Sequence, residues 1–192
     1  MTGDVRVRCA WIDESRLTPA DFTLYRDYHD TEWGRPLRDS AALFERISLE
    51  AFQSGLSWLI ILRKRENFRR AFGGFDVERV ARYTDKDIAR LMADTGIVRN
   101  RAKVEATIAN ARAATDLDVD LSELLWSFAP PPKARPADVS QVPAVTPEST
   151  AMAKELKRRG FRFVGPTTAY ALMQATGMVD DHTADCWVPA IS

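Results

Sequence analysis

Apolar residues along this chain recur at intervals of three and four, and no stretch alternates polar with apolar positions long enough to make a strand. Leu43, Phe44, Ile47 and Ala51 share one face of a helix that Asp39-Ser40 can cap and Gly55 ends. The next helix starts at Ser57 and runs to about Phe72, with Gly73-Gly74 as its stop. Its opening pentad, Trp58 to Leu62, is apolar all round and predicts burial on every side. Thr84 with Asp87 makes an acidic variant of a capping box, and Gly96 stands where a C-cap glycine belongs. Val98 to Ala114 reads as a long helix with Val104, Ile108 and Ala111 on one face. Ser149 then caps a helix to Arg159 that Gly160 ends, and another runs from about Pro166 to Thr176. Between them, residues 129–150 carry Pro130-Pro131-Pro132, Pro136, Pro143 and Pro147, which rule out a continuous helix. That stretch reads as an extended surface connection inside one domain. The expectation is a single all-α domain over residues 1–192 with about eight helices, free of internal repeats.

Composition narrows this only a little. An apolar share of 45% supports a sizeable core and 28% charged residues suits a soluble chain. No signal peptide is visible, and the longest aliphatic and aromatic run, Trp58 to Leu62, is far too short to cross a bilayer. A soluble, cytoplasmic protein is expected. With 27 basic and 27 acidic residues the chain is not built to coat nucleic acid non-specifically, since such binding needs many phosphate contacts. Local basic clusters do occur: Arg63-Lys64-Arg65 with Arg69-Arg70, then Arg99, Arg101 and Lys103, then Lys157-Arg158-Arg159. Each equally fits a solvated helix face.

Three constellations carry candidate chemistry. The first is the segment from Leu156 to Tyr170, where a helix stops at Gly160, a tight apolar turn carries Gly165, and a new helix begins at Pro166. Free backbone amides at such a helix start, with the helix dipole, suit a DNA phosphate; an ordinary αα-hairpin has the same pattern. A glycine turn followed by a basic helix start, around Gly96 to Lys103, echoes it. The second is Cys9, His29, His182 and Cys186, all the cysteines and histidines of the chain, with one helical turn between the last two. A Cys2His2 set matches structural zinc; buried reduced thiols and hydrogen-bonded histidines match as well. The third is Glu50 among apolar helix neighbours, with Trp11, Tyr25, Tyr28, Trp33 and Trp58 as flat π-faces. A flipped-out, positively charged purine suits such a set, though a core of aromatics with a salt-bridged Glu50 has the same residues.

The blocks Cys9-Ala10-Trp11, Tyr28-His29-Asp30-x-Glu32-Trp33-Gly34, Leu49-Glu50-x-x-Gln53-x-Gly55-Leu56-Ser57-Trp58, Lys64-Arg65-Glu66-Asn67, Gly96-Ile97-Val98-Arg99, Gly160-Phe161-x-Phe163-Val164-Gly165 and Asp181-His182-x-x-x-Cys186 resemble the DNA-3-methyladenine glycosylase I family, in order, from about residue 8 to 188. The resemblance implies the helix-hairpin-helix DNA glycosylase fold, with a structural Zn2+ held by Cys9, His29, His182 and Cys186 to join the two ends. It implies that Glu50 and Tyr28 act on 3-methyladenine in alkylated double-stranded DNA, that Trp58 stacks on the base, and that Trp33, Trp11 and Tyr25 line the walls. Gly55-Leu56 is expected to fill the gap left in the duplex, and Gly160, Phe163, Gly165 and Thr167 to grip the backbone. A monomer without a protein partner is the expectation. One departure is Asp180, where family members usually carry asparagine and many superfamily members place a catalytic aspartate. It either assists catalysis, giving a broader alkylpurine enzyme, or orients the loop that carries His182. A non-catalytic zinc-containing DNA-binding protein is the other rival, and the retained Glu50, Tyr28 and Trp58 argue against it.

Overall fold

The computed structural model describes residues 6–190, so the first five residues of the N-terminal segment lie outside the described residues. Nine α-helices and three short 3-10 turns make up its regular structure, and the described residues form no strand. The helices are α1 (Pro19–Thr31), α2 (Ser40–Gln53), α3 (Trp58–Ala71), α4 (Val77–Ala81), α5 (Asp85–Ala93), α6 (Arg101–Thr115), α7 (Leu121–Trp126), α8 (Pro147–Arg158) and α9 (Pro166–Ala175).

Helix α2 is the centre. Asp39 accepts from the Ala42 amide as its N-cap, and every residue from Ile47 to Phe52 is buried. Leu43, Phe44, Ile47, Leu49 and Phe52 are fully enclosed, each worth about 2 kcal/mol of apolar burial. Phe52, Phe68, Phe72 and Phe75 continue the core as an aromatic chain with ring centroids 4.7 to 6.3 Å apart at successive steps. Helices α3, α6, α7 and α9 pack around α2, α1 packs on α3, and α8 lies against α9.

The chain's own rules explain most boundaries, and they also correct several expectations. The capping box of Thr84 and Asp87 forms, and the helix behind it ends at Ala93. The long helix begins at Arg101, three residues later than its apolar pattern suggests, because the Asn100 side chain accepts from the Lys103 amide and sets the start there. Thr146, not Ser149, caps α8. Ser149 is the reciprocal member of that capping box, and Pro147 opens the helix at its first turn, where a missing N–H costs nothing. In the apolar pentad, Trp58, Ile61 and Leu62 are buried but Leu59 and Ile60 are only half-buried, because α3 lies at the edge of the bundle. Most of the proline-rich connection is extended and outer, with a 3-10 turn at Val139–Gln141. Helices α1, α4 and α7 complete a count larger than the eight expected.

A base-sized pocket beside a metal-ligand cluster

Helix periodicity places the pocket residues. On α1, Tyr25, Tyr28, His29 and Glu32 follow helical spacing, and on α2 Arg46, Glu50 and Gln53 do the same. These two faces meet Trp58 at the start of α3 and Ala171 and Gln174 of α9 around a cavity of about 220 Å3. Trp11 and Trp33 close it from the flanking loops. The volume is below the roughly 300 Å3 at which drug-sized ligand sites begin and suits a single heterocycle.

The rings are set edge to face. Trp11 lies 5.0 Å from Tyr25 and 5.2 Å from Trp33, both near perpendicular, and Tyr28 lies 5.4 Å from Trp58. Glu50 is buried among them at 4% exposure, and no hydrogen bond reaches its carboxyl from the described residues. Burial pushes it up from an ordinary 4.5 to about 7, with the Arg46 guanidinium pulling the other way. Trp58 Nε1 is also buried without a partner among the described residues. An unpaired buried N–H is costly and rare, and beside a carboxyl that no hydrogen bond reaches it points to a polar ligand.

Tyr28 is fully enclosed, and burial holds its phenol well above the usual range. Its hydroxyl oxygen accepts from Arg46 Nη1 at 3.1 Å. Arg46 Nη2 reaches Glu32 at 3.3 Å, and Arg65 grips the same carboxylate with two bonds of 2.6 and 2.8 Å. Arg46 is absent from the sequence reading, as are Gln53, Ala171 and Gln174 as pocket walls. An arginine in an amphipathic helix reads as solvent-facing until the partner helix is known.

Cys9, His29, His182 and Cys186 come together, all buried, with their ligand atoms within 4.8 Å of one another. Cys9 Sγ lies 3.6 Å from His182 Nδ1; Cys186 Sγ lies 3.5 Å from that nitrogen and 3.6 Å from His29 Nε2. Tetrahedral zinc with Zn–S of about 2.3 Å and Zn–N of about 2.0 Å has sulfur–nitrogen edges of about 3.5 Å, so the spacing fits. The ring nitrogens facing away are already engaged. His29 Nδ1 pairs with Asp30 at 2.8 Å, and His182 Nε2 donates to the Trp33 carbonyl at 3.1 Å. Asp30 is fixed in turn by Arg8 and by Trp187 Nε1. Such outer partners orient metal-binding histidines. Burial drives His182 down to about 4, lowers His29 as well and pushes the Cys9 thiol up to about 11, so both rings are neutral and the Cys9 thiol needs a cation to ionise. The cluster can hold a metal ion.

The same loop carries Asp180. Its carboxylate pairs with Arg135 Nε at 2.9 Å and accepts from the His182 amide at 3.3 Å. It lines a different, larger groove of about 490 Å3 beneath the proline-rich connection and is not among the residues around the base-sized cavity.

The candidate DNA-facing residues sit on two turns. Gly55 has φ +79° and Leu56 is 37% exposed at the tip between α2 and α3. Lys103, buried on α6, donates to the Phe52 and Ser54 carbonyls at 2.8 and 2.5 Å and so holds this turn in place. In the α8–α9 hairpin, Gly160 has φ +94°, Phe163 is 43% exposed with φ +56°, Gly165 is the N-cap of α9, and Thr167 is exposed in its first turn. Asn110 of α6 bonds both the Arg162 amide and its carbonyl, which keeps the hairpin rigid. The basic clusters are mostly spent internally. Arg63 pairs with Asp21, Arg65 with Glu32, Arg69 with Glu45, and Arg158 and Arg159 with Glu155.

The chain belongs to the methyladenine glycosylase family, whose model matches residues 19–189. It is 45% identical over 184 residues to the DNA-3-methyladenine glycosylase of Haemophilus influenzae, covering 93% of this chain and 96% of that one. DNA-3-methyladenine glycosylase 1 of Escherichia coli is 43% identical over 184 residues, at 93% and 95% coverage. A solved structure of 3-methyladenine DNA glycosylase I from Staphylococcus aureus, concerned with the basis of 3-methyladenine recognition, superposes with a TM-score of 0.88 at 37% identity, covering 96% of this chain and 98% of that one.

Proposed function

We propose that this chain removes 3-methyladenine from alkylated double-stranded DNA by hydrolysing its N-glycosidic bond, as a monofunctional base-excision repair glycosylase. One observation carries the reading: the unpaired Glu50 carboxyl sits in a base-sized aromatic cavity with the unpartnered Trp58 N–H. 3-Methyladenine is cationic, so its glycosidic bond is already weak and the departing base needs no proton. The work left to the protein is to select the flipped base and to stabilise the oxocarbenium-like transition state. Glu50, ionised by the approaching cation, accepts from the exocyclic amine. Tyr28 adds a hydrogen bond, Trp58 stacks, and Trp11, Tyr25 and Trp33 enclose the ring. Leu56, on the turn opened by Gly55, fills the vacated stack, and the amides of the Gly160–Thr167 hairpin hold a phosphate. With the glycosidic bond already weak, no lysine nucleophile is needed and the abasic site is left uncut. Zinc suits the Cys9, His29, His182 and Cys186 donor set, closed by four protein ligands and therefore structural. The pairing of Asp180 with Arg135 and the His182 amide supports a loop-orienting role, and with it a narrow substrate range.

The test is base release from methylated duplex DNA by the wild type, Glu50→Ala and Asp180→Asn. Release of 3-methyladenine should fall at least 100-fold in Glu50→Ala and stay within threefold in Asp180→Asn. A wild type that binds the DNA without releasing any base leaves only the non-catalytic reading. Release of 7-methylguanine that depends on Asp180 moves the chain to a broader specificity.

A further inference from the structure

Arg46 is the charge closest to the workings of the pocket and the one with no evident need to be there. It is buried, with 8% of its surface exposed, one turn before Glu50 on α2. Its guanidinium carbon lies 5.3 Å from the Tyr28 ring centroid and 5.5 Å from that of Trp58, within cation–π range of both. Burying a guanidinium is expensive unless it is bonded, and here its bonds are to the Tyr28 hydroxyl and to Glu32, a carboxylate that Arg65 already satisfies. A leucine or methionine would fill the same helix face at lower cost.

The geometry gives a reason. A phenol has one proton to donate. Because Arg46 Nη1 donates to the Tyr28 oxygen, that proton is free for another acceptor, and none of the described residues receives it. The bond therefore leaves the phenol's proton to be donated elsewhere. Among the described residues, Arg46 is the charge that attracts the Glu50 carboxylate.

We propose that Arg46 is a positioning residue of the base pocket, which leaves the Tyr28 hydroxyl its proton to donate and stands one turn from Glu50 on α2 as a cation beside that carboxylate. This goes one step beyond the 3-methyladenine reading and rests on it for the identity of the base, but its first test does not. The charged and titratable groups that act on Glu50 are Tyr25 and Tyr28 of α1 and Arg46 itself, and behind Arg46 stand Glu32, at the C-cap of α1, and Arg65 of α3. Following the Glu50 carboxyl by 13C NMR in the free protein, with Glu50→Gln to assign it, reads the electrostatic half directly. Its midpoint should rise by about one pH unit in Arg46→Met and return most of the way in Arg46→Lys, with the fold checked by amide spectra. An unchanged midpoint in Arg46→Met overturns that half, whatever the enzyme's substrate.

The orienting half is read by binding of free 3-methyladenine through tryptophan fluorescence at pH 9.5, where Glu50 is ionised in either variant. Arg46→Met should weaken binding about fivefold in the native background and less than twofold in Tyr28→Phe, where there is no hydroxyl to orient. Equal losses in both backgrounds refute it. If wild type ignores 3-methyladenine while the NMR shift appears, the substrate reading has failed and the role of Arg46 at Glu50 stands.

Discussion

At the scale of single residues, the pocket works by leaving good groups unsatisfied. The Glu50 carboxyl has a folded value of about 7 against an ordinary 4.5, so the protonated form favours folding. That contribution is complete below about pH 4.5 and is lost as pH rises through 7, where the buried charge costs on the order of 3 kcal/mol. Glu50→Gln should therefore leave stability unchanged near pH 4 and raise it by 1–3 kcal/mol at pH 8, measured by urea unfolding, while abolishing base release. A variant no more stable at pH 8 than at pH 4 would show that the carboxyl is solvated and the pocket reading is wrong. Release by the wild type should fall on the acid side with a midpoint near pH 7, since a protonated carboxyl offers the cationic base less.

At the scale of elements, the sequence foretold the pieces better than their roles. Alternation of period 3.6, the Thr84–Asp87 box and the glycine stops located α2, α3, α5 and α9 within two or three residues, because those signals act inside one helix. The start of α6 and the cap of α8 went astray, since Asn100 and Thr146 compete with equally plausible neighbours for the same job. Glu50, Tyr28 and the four thiol and imidazole ligands were visible as residue types. Arg46 and Lys103 were not, because a buried cation is recognisable only from the carbonyls, carboxylates and rings that surround it in space. Lys103 illustrates the consequence. Its two bonds to the last carbonyls of α2 tie α6 to the Gly55–Leu56 turn. Lys103→Met should lower base release from duplex DNA at least tenfold yet change binding of the free base by less than twofold, as the turn matters only when a base has to be extruded. Equal losses in both assays would place Lys103 in support of the pocket itself.

At the scale of the whole molecule, two balances matter. Most arginines of the basic clusters are paired with carboxylates, and the exposed cations near the hairpin and the Gly96 turn that no ion pair among the described residues uses come down to Arg99, Lys157 and Arg162. Three such charges give a slope of about −3 in log affinity against log salt concentration. A measured slope steeper than about −6 would mean that a surface other than the hairpin carries the DNA. The second balance is between metal and pocket. Trp11 lies 5.1 Å from the His29 ring, and Trp33 lies 4.6 Å from that of His182, so two walls of the cavity are also walls of the metal-ligand cluster. Chelation, or Cys186→Ser, should lower the thermal midpoint by 5 °C or more and loosen binding of the free base. Loss of stability with base binding intact would separate the two sites.

That shared wall has a bearing on how the molecule is made. Every residue of the cavity, from Trp11 to Gln174, leaves the ribosome before His182 and Cys186 do. Until those two emerge, Cys9 and His29 make only half of the ligand set, and Trp33 lacks the His182 ring it packs on. The pocket residues are thus made ahead of the two ligands that back them, and the pocket is complete only once His182 and Cys186 have joined Cys9 and His29.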